Sequence, residues 1–165
     1  KKMNITFTGF LYAGLMIVNE EPFLIEYNVR MGDPECQTIL PKLKTDFFEI
    51  VNDCISKNLH RSKIEWEEKK SLCVVLCSRG YPDKYKNNIE IENLNKISLK
   101  NGEFIFHAGT IENENKIFSN GGRVLNFVII SKEFKECRNK AIDLINQIDW
   151  KNGFFRKDIG FKVIK

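Results

Sequence analysis

Apolar positions fall into blocks whose spacing changes along the chain. Residues 10–18 (FLYAGLMIV) and 23–29 (FLIEYNV) are apolar runs split by the polar turn Asn19-Glu20-Glu21-Pro22, which predicts a strand pair. Both faces of so apolar a pair need cover. The expectation is that the chain begins inside a larger domain, much of it lying outside this sequence. Thr45 or Asp46 can cap a helix in which Phe47, Phe48, Ile50, Val51, Cys54 and Ile55 recur at helical spacing up to about Leu59. The polar segment 57–63 reads as a boundary. After it, residues 72–77 (LCVVLC) predict a buried strand stopped by Gly80-Tyr81-Pro82, and residues 104–107 a short strand ended by Gly109. Lys116–Ser119 and Arg123–Ser131 read as a pair of strands around Asn120-Gly121-Gly122. Residues 133–148 form an amphipathic pattern with Phe134, Cys137, Ala141, Leu144, Ile145 and Ile148 on one face. Strands dominate and helices are appended, so the expected class is α+β with a mostly antiparallel sheet. The expected division is 1–60 and 61–165.

Composition narrows the function classes. A chain of 165 residues, 42% hydrophobic and 29% charged, can build one good core or two small ones. Thirteen phenylalanines argue against disorder. The net charge of +4 is a mild bias with Lys and Glu interspersed. It suits anionic small molecules better than nucleic acid, whose binders concentrate their charge. The apolar stretch 11–18 is too short to cross a bilayer, and Lys1-Lys2-Met3-Asn4 carries no leader pattern. The expectation is a soluble cytoplasmic protein with no membrane or nucleic-acid partner. Cys36, Cys54, Cys73, Cys77 and Cys137 match no zinc spacing and read as buried reduced thiols.

The chemistry concentrates in FLIEYNVRMGDPE, residues 23–35. Along a regular strand Glu26, Asn28 and Arg30 project from one face. A carboxylate beside an amide oxygen is a hard pair suited to Mg²⁺, which completes its shell from phosphates and water. An arginine two residues on supplies planar donors for a phosphoryl oxygen. Taken by itself, so short a pattern favours a solvated strand end.

The flanking residues change that reading. Leu11-Tyr12-Ala13-Gly14-Leu15-Met16 and the run from Leu24 to Gln37 resemble the end of the ATP-grasp domain of the glycinamide ribonucleotide synthetase (phosphoribosylamine–glycine ligase) family. Ser78-Arg79-Gly80-Tyr81-Pro82, His107-Ala108-Gly109-Thr110, Asn120-Gly121-Gly122-Arg123-Val124-Leu125 and Phe155-Arg156-Lys157-Asp158-Ile159-Gly160 resemble the same family's C-terminal domain, in the family's order. The resemblance implies residues 1–60 as the end of an ATP-grasp domain and 61–165 as the C-terminal domain. It implies an ATP-dependent ligase of purine biosynthesis that joins glycine to 5-phosphoribosylamine through glycyl phosphate. It further implies Glu26 and Asn28 as ligands of Mg²⁺ or Mn²⁺, and Arg30 as the group steadying the transferred phosphoryl. Asp33 and Glu35 would orient the amine or ribose, although Asp33-Pro34 reads equally as a simple turn. Arg123, with the glycines before it, would approach the phosphate or nucleotide. His107 reads as structural, and Arg156 and Lys157 as solvated or salt-bridged. Where many ATP-grasp enzymes carry a second acidic ligand, about twelve residues before Glu-x-Asn, this chain has Gly14. The missing N-terminal part of the same enzyme is the expected partner, and the fragment alone is expected to be inactive. Two alternatives are another ATP-grasp carboxylate–amine ligase and a non-catalytic RNA-binding module. The Gly-Asp-Pro-Glu after Arg30 argues against the first. The second needs exposed aromatics on one sheet face, whereas Phe104, Phe106 and Phe127 read as core.

Overall fold

The computed structural model describes residues 6–164, so the basic opening Lys1-Lys2-Met3-Asn4 lies outside the described residues. The chain divides into two compact units. The first comprises Lys1–Cys36 and Leu43–Glu67, the second Gln37–Lys42 and Glu68–Lys165.

In the first unit, β1 (Tyr12–Val18) and β2 (Glu21–Asn28) form an antiparallel hairpin. Its turn is two residues long, not four. Asn19 and Glu20 both take positive φ, 50° and 67°, the geometry whose twist matches the flanking strands. Pro22 therefore lies within β2 opposite Ile17, where a two-stranded ribbon leaves its missing N–H without consequence. Glu20 bears a side chain where glycine would sit without strain, so Glu20→Gly is expected to stabilise the hairpin by about 0.5–1 kcal/mol in urea unfolding. Leu15, Ile17, Phe23, Leu24, Ile25 and Tyr27 stand exposed, so the ribbon is apolar on both sides and is left open by the described residues. A short helix, α1 (Glu35–Ile39), spans the division between the units. Helix α2 (Phe47–Ile55) is capped by Asp46, whose carboxylate accepts from the Phe48 N–H at 2.7 Å. It ends four residues before the predicted Leu59, because Lys57 takes a positive φ and a 3-10 turn follows at Leu59–Arg61.

The second unit is built on four antiparallel strands in the order β4-β7-β3-β8. These are β3 (Lys70–Ser78), β4 (Glu103–His107), β7 (Arg123–Ser131) and β8 (Gly153–Phe154). Helix α3 (Phe134–Ile145) packs on β3 and β7. Leu72, Val74 and Leu76 of β3 and Leu125, Phe127 and Ile129 of β7 meet Cys137, Ala141, Leu144 and Ile145 of α3 in the core. Period two on the strands and a one-face stripe on the helix place these residues inside.

Two sequence expectations fail here. Lys116–Ser119 does not pair with Arg123–Ser131. It is β6, and its partner is β5 (Thr110–Asn113) in a separate two-stranded sheet. The hairpin turn is Glu114-Asn115, both at positive φ, while residues 120–122 carry the chain from one sheet to the other. Phe104 and Phe106 are not core residues. They flank Ile105, which faces Phe127 across the strands, so their rings lie on the opposite face, half-buried and stacked 5.9 Å apart. The five cysteines are free thiols, with Cys77 and Cys137 buried and the other three half-buried.

Candidate active site

The hairpin register decides what faces what. Tyr12 lies opposite Asn28 and Gly14 opposite Glu26, so these four residues share one face at the open end of the ribbon. Glu26 is exposed and Asn28 half-buried. The Asn28 side-chain amide donates to the Glu26 carboxylate at 2.8 Å. Gly14 leaves room for this pair, since a Cβ there would stand 3.1 Å from the Glu26 Cγ. Beyond this end the alternation breaks. A bulge at Gly14/Leu15 pairs Leu15 with Leu24 and leaves Ile25 unmatched.

The donor chemistry fits a hard divalent cation. Glu26 offers carboxylate oxygens, and Asn28 offers its amide oxygen once the side chain turns that atom toward the metal. Among the described residues no group of three or more His, Cys, Asp and Glu could hold a metal.

Arg30 departs from the expected row. β2 stops at Asn28, and the exposed Arg30 follows in a bend with its guanidinium donating to the Met31 carbonyl at 2.9 Å. Asp33 is exposed in the turn that follows. Glu35 folds back over the buried Gly32, where a Cβ would fall 2.3 Å from a Glu35 carboxylate oxygen, so only glycine allows this placement. The Tyr12 hydroxyl donates to the other Glu35 oxygen at 3.4 Å. The negative charge of Glu35, then burial, the hydrogen bond and Glu26, push the Tyr12 phenol above its usual pKa. The structure thus brings Glu26, Asn28 and Glu35 to one hairpin end. Sequence reasoning missed Tyr12 there, because its place is set by what it faces across the hairpin and by Glu35.

Arg123 belongs to the second unit. It opens β7 opposite Cys77, half-buried. Burial pushes the Cys77 thiol up, and the charge of Arg123 opposes that shift. Three of the motif segments converge at this end of the sheet. The Ser78 hydroxyl and N–H donate to the carbonyls of Gly121 and Gly122, each at 2.8 Å. The Asn120 N–H donates to Gly109 O at 2.8 Å, and the Ala108 and Gly109 N–H groups converge on Val124 O. The Tyr81 ring sits where a Gly122 side chain would be, 2.0 Å from the Cβ position. His107 Nδ1 meets the Thr110 hydroxyl at 2.8 Å, which fits a structural histidine. Arg156 grips Asp158 through two nitrogens, at 2.6 and 3.0 Å, and holds that carboxyl below its usual range.

A Glu-x-Asn hairpin end, followed in the chain by an antiparallel α+β unit, is the organisation expected of an ATP-grasp ligase. Residues 1–36 match the phosphoribosylglycinamide synthetase ATP-grasp (A) domain, and residues 71–162 match the phosphoribosylglycinamide synthetase C domain. The second match alone takes in more than half of the chain, which belongs to the phosphoribosylglycinamide synthetase family. The phosphoribosylamine–glycine ligase of Caldanaerobacter subterraneus is 44% identical over 96% of the chain. The trifunctional purine biosynthetic protein adenosine-3 of Gallus gallus is 40% identical over 99%. The chain spans 37% of the length of the first relative and 16% of the second. The crystal structure of phosphoribosylamine–glycine ligase from Thermotoga maritima superposes with a TM-score of 0.70 at 34% identity, covering 90% of this chain and 36% of that one.

Proposed function

We propose that this chain serves an ATP-dependent ligase that joins glycine to 5-phosphoribosylamine, giving glycinamide ribonucleotide, ADP and phosphate. The observation that carries the reading is the Glu26–Asn28 pair, hydrogen-bonded on one face of a hairpin within the ATP-grasp match. Residues 1–60 close the ATP-grasp domain and residues 61–165 form the C-terminal domain. The γ-phosphoryl of ATP passes to the glycine carboxylate, ADP leaves, and the amine then displaces phosphate from the acyl carbon. Glu26 and Asn28 would hold Mg²⁺ or Mn²⁺, which would supply charge neutralisation at the phosphates. Arg30, released from the Met31 carbonyl, reaches the transferred phosphoryl through its planar donors. Asp33 and Glu35 orient the amine or ribose. Arg123 and the backbone of the preceding glycines approach phosphate or nucleotide. The partner is the N-terminal portion of the same ligase, which covers the apolar ribbon of the first unit. No helix among the described residues is long and apolar enough to cross a membrane, and the cytoplasm is the expected compartment.

The test is ADP release by the full-length protein with Mg-ATP, glycine and freshly made phosphoribosylamine. Release that requires both co-substrates, and none from the 165-residue chain alone, is the expected result. ADP formed without glycine would overturn the reading.

A further inference from the structure

Tyr12 links the two halves of the candidate site: it pairs with Asn28 across the hairpin, and its hydroxyl meets Glu35. Its ring lies on the shared face: from the empty Cβ position of Gly14, the Glu26 Cγ is 3.1 Å away and the Tyr12 Cε1 3.7 Å. Its hydroxyl reaches across the chain to Glu35 at 3.4 Å. Glu35 also folds over Gly32, which brings one oxygen to the glycine and leaves the other toward the phenol. One side chain therefore shares the strand face of Glu26 and Asn28 and meets Glu35 with its hydroxyl.

We propose that Tyr12 is a positioning residue that fixes the Glu35 carboxylate beside the Glu26–Asn28 pair, so that the amine substrate meets Glu35 at a set distance from the phosphoryl-transfer centre. This rests on the ligase reading and on the role given there to Glu35. A phenol is suited to the task. Its ring is rigid, with few torsions to freeze, and its hydroxyl donates to a carboxylate without neutralising it. Glu35 thereby keeps its charge and its second oxygen for the amine.

The test uses the full-length protein with Tyr12→Phe, Glu35→Gln and the double variant. Phenylalanine keeps the ring and removes only the donor. Tyr12→Phe is expected to lower kcat/KM for phosphoribosylamine about tenfold, the scale of one lost hydrogen bond to a charged group, with KM for ATP unchanged. The double variant is expected to be no slower than Glu35→Gln alone, because Tyr12 acts only through Glu35. If the two losses multiply, or if KM for ATP and for the amine rise together with a lowered melting temperature, Tyr12 is a structural residue and the proposal falls. If the wild-type protein itself shows no turnover requiring both co-substrates, the ligase reading fails and takes this one with it.

Discussion

Glu26→Gln in the full-length protein is expected to lower glycine-dependent ADP release by about 10²- to 10³-fold, the scale seen when one preorganised electrostatic contact is removed from a reacting centre. The substitution isolates charge. Glutamine has the same length and still offers an oxygen to the Asn28 amide, so the 2.8 Å contact that fixes the pair survives. What disappears is the anionic oxygen that a hard cation needs. Glu26 is exposed and lies on a ribbon end outside the core, so the unfolding midpoint is expected to stay within error of the wild type. On the proposed role of Glu26 as a metal ligand, raising Mg²⁺ should recover part of the rate. ADP release that is unaffected by the substitution would reduce the hairpin end to a solvated polar tip.

Phe127→Ala should cost about 3–5 kcal/mol in urea unfolding. Its ring is fully buried at the centre of β7, between Val74 of β3 and Ile105 of β4, and α3 covers the same face. Its cross-strand partners belong to paired strands and a packed helix covers the same face, so the space closes only in part. The sheet also carries the convergent turns at its end, since β7 begins at Arg123 directly after Gly121 and Gly122. The variant should therefore show reduced protection of the Ser78 and Asn120 amides as well as lower stability. A loss below about 1 kcal/mol would mean that β7 is not the centre of the core.

Much of this was legible in the sequence for identifiable reasons. Strand β3, the α3 stripe and the Asp46 cap follow from local periodicity and capping chemistry, which need no tertiary information. The Glu26–Asn28 pair follows from strand alternation. The errors arose where a turn outweighed the pattern. Asn120-Gly121-Gly122 resembles a hairpin, but the positive-φ pair Glu114-Asn115 makes the turn, and glycine at 121–122 serves the close approach of Tyr81 and Gly109 instead. Arg30 was placed on the strand by spacing, and pairing that stops at Asn28 released it. Tyr12 was invisible to any rule that reads one strand at a time, because its significance lies in the residues it faces.

The path of the chain between the two units has a practical consequence for dissecting the molecule. Residues 37–42 belong with the second unit, yet residues 43–67 return to the first before the chain settles into the second at 68. No single cut separates the halves. A gene fragment starting at 68 discards six residues of its own unit, and one ending at 67 carries six that belong elsewhere. Exchanging residues 1–165 as one block keeps both units together, whereas exchange at any one internal junction leaves at least one of them incomplete.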